Sequence, residues 1–599
     1  NKSSGIINQS AGTVERIEIL SQNGSSNITG GLTKYISNAG TIKAINSTIT
    51  SVSNSKDIDI VDSNISNVHN TGSMKITNCD VNTTNVAVTN LGSITIKNSN
   101  ITTTGYGIDN KANGVVNIDS VNITSSDSYG INNSGTLVLG EKENTQSDEE
   151  IVITGKTYGV YNYNDNNVVF NYYRGVIKGK TAIYGYVDDV PANESILFNT
   201  EDNLEVARIG VQEENIVEID GVGYTTLQLA IDICGEQQKT ITVIKDINIT
   251  AEQEIANIGN GKNIILDLNG HKVLSYKKGN NICNNGTLTI TDSNDAATSI
   301  IKNASIENYG IIEVENGDLY YDISSGVFID NLDGSEFKLS GGIINIASSS
   351  TTGVYAESGS TVEIAGGKIS LNKGINSSTA IKGDVGSSIK VTGGTIESSC
   401  YFNYNNTIYS KGTIVIEGGT ITSSQYADRN CIVISGVESK LEVHGGTIIN
   451  NQISNYNGNI EMTGGVIEFN YSYHGNEPVI ENRSSQEANI KVTGGTVKGK
   501  TTGGVIENSY NGRDAGSKIN VEMTGGIIQN SNGYGIYNRR STSYGITDGT
   551  TNVKITGGTV TGKTYGIYNE KGILTLGEND EIVSKGVPEV TGGTYGVNN

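Results

Sequence analysis

One eight-residue pattern returns nine times between Phe337 and Val560: apolar, any, apolar, any, Gly, Gly, any, apolar. The copies begin at Phe337, Val362, Ile389, Ile414, Leu441, Ile460, Ile490, Val521 and Val553, at intervals of 19 to 32 residues. Alternating apolar positions mark a strand with one buried face. The Gly pair then lets the backbone turn where a Cβ would forbid it. A strand, a bend and a resumed strand, repeated at this period, predict a coil stacked on itself.

The residue between the first two apolar positions must point outward. Down the copies it is Lys338, Glu363, Lys390, Val415, Glu442, Glu461, Lys491, Glu522 and Lys554. Wherever consecutive copies are both charged the sign alternates, except from Glu442 to Glu461. Outward side chains on in-register strands sit about 4.8 Å apart, where opposite charges help and like charges hurt. The alternation supports copies stacked in sequence order.

From residue 1 to about Val187 the template recurs with Asn or Asp in place of the first Gly, as at Ile58–Ile65, Met74–Val81 and Ile94–Ile101. Asn and Asp tolerate a left-handed backbone, so they are expected to make the same corner. A second motif, apolar-any-Asn, ends at Asn8, Asn38, Asn54, Asn70, Asn90, Asn110, Asn133 and Asn162. It returns at Asn284, Asn308, Asn331, Asn482, Asn508, Asn538, Asn569 and Asn599. Such residues can pass amide hydrogen bonds from coil to coil as a ladder. The motif lapses between Asn331 and Asn482, and there the ladder is expected to break.

Residues 188–261 depart from the template. Leu227, Ala230, Ile231 and Cys234 fall at helical spacing, with Thr as N-cap and Gly235 as stop. The expected organisation is a solenoid block over 1–187, a cap or joint with one short helix over 188–261, and a second block over 262–599. The fold class is all-β, with long helices excluded by the Asn-, Gly- and Tyr-rich composition.

The segments TTLQLAID (225–232), TITVIKDI (240–247), LDLNGHKV (266–273) and NGTLTITDS (285–293) resemble the opening of β-helical repeat regions in large Gram-positive bacterial surface proteins. GKTYGVYN and GKTYGIYN look like later coils of that group. The resemblance implies a right-handed parallel β-helix of the pectin-lyase-like kind, exported to the cell surface; it does not imply enzymatic activity. Both ends of the sequence lie within the repeat pattern, so an export signal and anchor are expected outside it.

A net charge of −22 argues against nucleic acid and against an anionic membrane surface. No apolar run reaches a membrane-spanning length. The five cysteines, at 79, 234, 283, 400 and 431, have no CxxC spacing, and neither an EF-hand nor a nonapeptide calcium repeat occurs. No cofactor or metal site is therefore expected. Polygalacturonase-like enzymes carry Gly-His-Gly and Arg-Ile-Lys on neighbouring coils, and both are missing. The only adjacent Asp pair, Asp188-Asp189, lies in the joint, so no catalytic residue is assigned.

Tyrosine is the most suggestive surface feature. Tyr-Gly-Val-Tyr-Asn at 158 and Tyr-Gly-Ile-Tyr-Asn at 534 and 565 send Tyr161, Tyr537 and Tyr568 outward if Val160, Ile536 and Ile567 point in. Exposed Tyr rows can stack on sugar rings, or simply on one another between coils. These three are the candidate glycan-binding residues. The expected function is a non-catalytic structural and adhesive stalk or fibre segment outside the cell, meeting surface glycans or proteins. Its rivals are a glycan-processing enzyme or phage-type spike, and a filament subunit that joins copies of itself end to end.

Overall fold

The computed structural model describes residues 6–599 apart from 143–150, 164–166, 192–193, 211–213, 251–255, 277–278, 295–298, 324, 373–376, 399–404, 424–430, 451, 470–474, 485, 511–516, 540–549 and 578–586. The chain is a parallel β-helix: strands stack on strands from the next coil, and one short helix accompanies them among the described residues. It divides into two units. Unit 1 comprises residues 1–214 with 248–254 and 275–279, and unit 2 the remainder.

Unit 2 is built on three sheets of 16, 14 and 14 strands, one strand per coil on each face. The first sheet carries the apolar-any-apolar half of the template. Ile364, Val391 and Ile416 are consecutive register partners within it, all fully buried. Ile369, Ile396 and Ile421 do the same on the second sheet. A single narrow interior thus runs through the coils, each buried Ile or Leu contributing about 1.5–3 kcal/mol. The outward column also stacks as the charges require: Lys338 opposite Glu363, Glu363 opposite Lys390, Lys491 opposite Glu522, Glu522 opposite Lys554.

The Gly pair makes the corner between these sheets. A Cβ on Gly366 would press on the Ser340 carbonyl of the coil beneath, and Gly367, at φ +60°, would place one 2.6 Å from the Gly341 carbonyl. Close approach demands the first glycine, and left-handed backbone plus close approach the second.

In unit 1 nine short coils present three faces. Strands such as Ser93–Thr103 turn a corner without breaking, which joins all three faces into one 23-stranded sheet. Here the corner differs from the expectation. Asn46, Asp62, Asn78 and Asn98 adopt φ of 47–53° at the first position of the pair, whereas unit 2 puts its left-handed residue second. The second position in unit 1 turns inward instead. Ser47, Ser63, Cys79 and Ser99 are buried there, and the Ser47 and Cys79 amides donate to the Ser63 and Ser99 hydroxyls at 3.0 Å. Cys79 is a serine-sized member of that row.

The asparagine ladder runs between the third and first faces of both units. In unit 1, Nδ2 donates to the next Oδ1 from Asn38 through Asn54, Asn70, Asn90, Asn110 and Asn133 to Asn162, at 2.6–2.9 Å. From Asn38 to Asn133 each amide also closes its own corner; Asn54 donates to the Lys56 carbonyl of its corner and to the Ser73 carbonyl of the next coil. Asn8 is not a member: it faces outward opposite Asn27, one position before buried Gln9.

In unit 2 the ladder runs Asn284–Asn308–Asn331, breaks, and resumes at Asn455, one coil earlier than the apolar-any-Asn inventory implies. From there it continues through Asn482, Asn508, Asn538 and Asn569 to Asn599. Ala356, Gly383, Ser410 and Ile434 fill the break in register.

Antiparallel hairpins interrupt the parallel stacking in both units. Strands Ser195–Glu201 and Leu204–Gly210 form one hairpin, laid antiparallel on Val176–Gly179 in unit 1. Val217–Ile219 and Val222–Tyr224 form the other, laid antiparallel on Lys239–Val243 in unit 2. Beside the second lies helix α1 (Leu227–Ile233), shorter than the predicted span. Thr226 accepts from the Leu229 amide as N-cap; Leu227, Ala230 and Ile231 are buried, and Lys262 donates to the Ile231 carbonyl at 2.8 Å. A hairpin of reversed direction gives a parallel edge a partner that does not continue the coil.

Candidate ligand-binding face

The third sheet of unit 2 carries the chemistry. Its inward residues are apolar, its corner column is the asparagine ladder, and the residue before each ladder position points out. Going up the coils that outward column reads Glu307, Asp330, Tyr355 and Lys382, and higher up Ser454, Glu481, Glu507, Tyr537 and Tyr568.

The predicted tyrosines occupy this position and are half-buried. Tyr537 and Tyr568 are register neighbours with ring centroids 5.4 Å apart, and Tyr534 and Tyr565 complete a four-ring cluster with separations of 5.1–5.6 Å. Tyr161 belongs to unit 1, where it stacks on Tyr184 (4.7 Å, 3°) and Tyr129 (5.2 Å, 20°). The three thus fall in two separate aromatic clusters, each stacked internally.

Beside the unit 2 cluster lies a groove of about 840 Å³, a feature that reading the sequence did not find. Ser454, Glu481, Glu507 and Tyr537 form its floor on four successive rungs. Tyr456, Arg483 and Arg539 lie along one side, and Asn476–Pro478 with Thr502 and Gly503 line the rest. Arg483 pairs with Glu481 at 2.7 Å and Arg539 with Glu507 at 3.4 Å. Burial pushes the Glu507 carboxyl above its ordinary range, with Arg539 opposing and Glu481 adding to the rise. Tyr537 donates to Glu570 at 2.9 Å, which with burial raises its phenol. Floor residues as far apart in sequence as Ser454 and Tyr537 meet here only because rungs stack; the single local signal was the charged residue preceding some corner asparagines, as Glu481 precedes Asn482 and Glu507 precedes Asn508.

No family model, no curated relative and no solved structure matches this chain. Its chemistry is read from the face itself.

Lower on the same sheet, Asp330 sits between Glu307 and Tyr355. Burial, then Glu357 and Glu307, push its carboxyl up to about 6, against the pull of Lys382. Tyr355 donates to Asp384 at 3.2 Å, and Lys382 lies 4.4 Å over the Tyr355 ring. Asp188 and Asp189 are tied up in packing: Asp188 accepts from the Phe170 amide, and Asp189 from Lys142 and Tyr173. Among the cysteines, Cys79 and Cys234 are buried free thiols, Cys283 is partly exposed, and Cys400 lies outside the described residues.

Proposed function

We propose that this chain is a non-catalytic structural and adhesive segment of a bacterial surface protein, a stiff stretch of stalk or fibre held outside the cell. The observation that carries this reading is the in-register stacking of unit 2, where backbone, apolar interior and corner amides all repeat on each rung. Such a stack resists bending and holds the backbone of each rung in hydrogen bonds that a protease must break. The strong negative charge keeps an extended surface soluble. The resemblance of 225–293 to surface-protein repeats supports the location. Adhesion resides in the outward side chains, with Tyr161, Tyr537 and Tyr568 as glycan-stacking candidates.

Antibodies against unit 2 test this on intact producing cells. Labelling without permeabilisation that survives trypsin treatment is the expected result. Labelling only after permeabilisation contradicts it.

A further inference from the structure

The groove on the third sheet of unit 2 has a composition that selects among ligands. Its floor climbs four rungs, about 4.8 Å each, so it is elongated along the stack and open to an extended chain. Its volume falls within the range of roughly 300–1,000 Å³ typical of small-ligand sites. Its polar groups are mainly forked: carboxylates of Glu477, Glu481 and Glu507, guanidiniums of Arg483 and Arg539. Forked acceptors and donors match pairs of neighbouring hydroxyls. At one end the rings of Tyr534 and Tyr537, centroids 5.2 Å apart and tilted at 56° to each other, add apolar surface to the lining.

Charge decides the rest. Both arginines that line the groove are already ion-paired, Arg483 to Glu481 and Arg539 to Glu507. An anionic ligand therefore meets no uncompensated cation, and it approaches a chain of net charge −22. Glu481 and Glu507 are likewise compensated, with only 18% and 12% of their side-chain surfaces exposed, and Glu477, the third carboxylate of the lining, further opposes an anion. Hydroxyl groups can join these ion pairs without breaking them.

We propose that the groove binds an uncharged oligosaccharide, its rings on Tyr534 and Tyr537 and its hydroxyls on the Glu481–Arg483 and Glu507–Arg539 pairs. The assignment rests on the adhesive reading only for where the sugar is met.

Calorimetry on the full chain tests it against neutral hexasaccharides of glucose, mannose and N-acetylglucosamine, with oligogalacturonate and de-N-acetylated chitohexaose as charged comparators. At least one neutral sugar binds, with affinity unchanged between low and high salt. Tyr534→Ala and Glu481→Gln each weaken it about tenfold while leaving the melting curve in place, and Tyr35→Ala, at an exposed tyrosine of unit 1, leaves it unchanged. Binding of the charged sugars alone, binding of none, or neutral binding untouched by both groove variants overturns the assignment. A chain that labels intact cells yet binds no neutral sugar loses the groove assignment and keeps the scaffold reading.

Discussion

Glu442 and Glu461 face each other on adjacent rungs of the first sheet of unit 2, a like-charged pair in a column whose other charged neighbours are opposite in sign. Lys440 offsets the repulsion, its Nζ 2.5 Å from Glu442 and 3.3 Å from Glu461, and its hydrogen bond holds the Glu442 carboxyl below the usual range. Lys440→Ala is expected to cost about 1 kcal/mol at low salt, the upper end for a partly exposed pair, and less at high salt. A carboxyl depressed in the folded state stabilises above its unfolded pKa and loses that contribution as pH falls through the folded value. The melting difference between Lys440→Ala and the parent should therefore vanish in acid.

The ladder amides are buried, so their loss leaves polar groups stranded. Asn482→Ala removes the acceptor of Asn455 and the donor to Asn508. About 2–4 kcal/mol should be lost, since each stranded buried group costs about 1–3 kcal/mol. Hydrogen exchange at the amides of Asn455 and Asn508 should accelerate first.

Glycine position should matter more than glycine number. Gly366→Ala drives a Cβ into the Ser340 carbonyl, whereas Gly334→Ala, at φ +75° with open space around it, meets only the left-handed penalty of about 1–2 kcal/mol. Denaturant melts should place Gly366→Ala well below Gly334→Ala. Equal stabilities would contradict the close approach of successive corners.

Much of this architecture was legible in the chain. The stack of Ile364, Val391 and Ile416 follows from period-two alternation closed by Gly-Gly, and the helix core of Leu227, Ala230 and Ile231 from its 3–4 spacing. Other features were not. The Ile-Ile-Asn triplet ending at Asn8 looks like a ladder triplet, but a triplet does not say which face it occupies. Asn455 was in fact legible, because Ile453-Ser-Asn455 is itself an apolar-any-Asn triplet, with its Gly three residues on as after Asn331. The shift of the left-handed residue between the two units leaves the apolar spacing unchanged, so spacing could not reveal it. The groove was invisible for a different reason: Glu481, Glu507 and Arg539 become neighbours only through rung stacking and the loops beside it.

Asp330 should act as a pH-dependent weak point. Its carboxyl is raised to about 6, with Glu307 and Glu357 adding to burial and Lys382 opposing. A raised folded-state pKa means that the protonated form suits the fold, so this site is least unfavourable below the unfolded value of 3.8 and increasingly destabilising as pH rises through about 6. Asp330→Asn should raise the melting temperature at pH above 6, and its advantage should fade as pH falls below about 4.

The central claim is that successive template copies in unit 2 lie directly on one another, and spin-label distances test it most directly. In a cysteine-free background, one label replaces Glu363 and the second, in turn, replaces Lys390, Glu442, Lys491 or Lys554. Mean separations should grow by about 4.8 Å for each rung crossed, reaching roughly 34 Å over the seven steps from Glu363 to Lys554. Separations that fail to rise in rung order would contradict the stack.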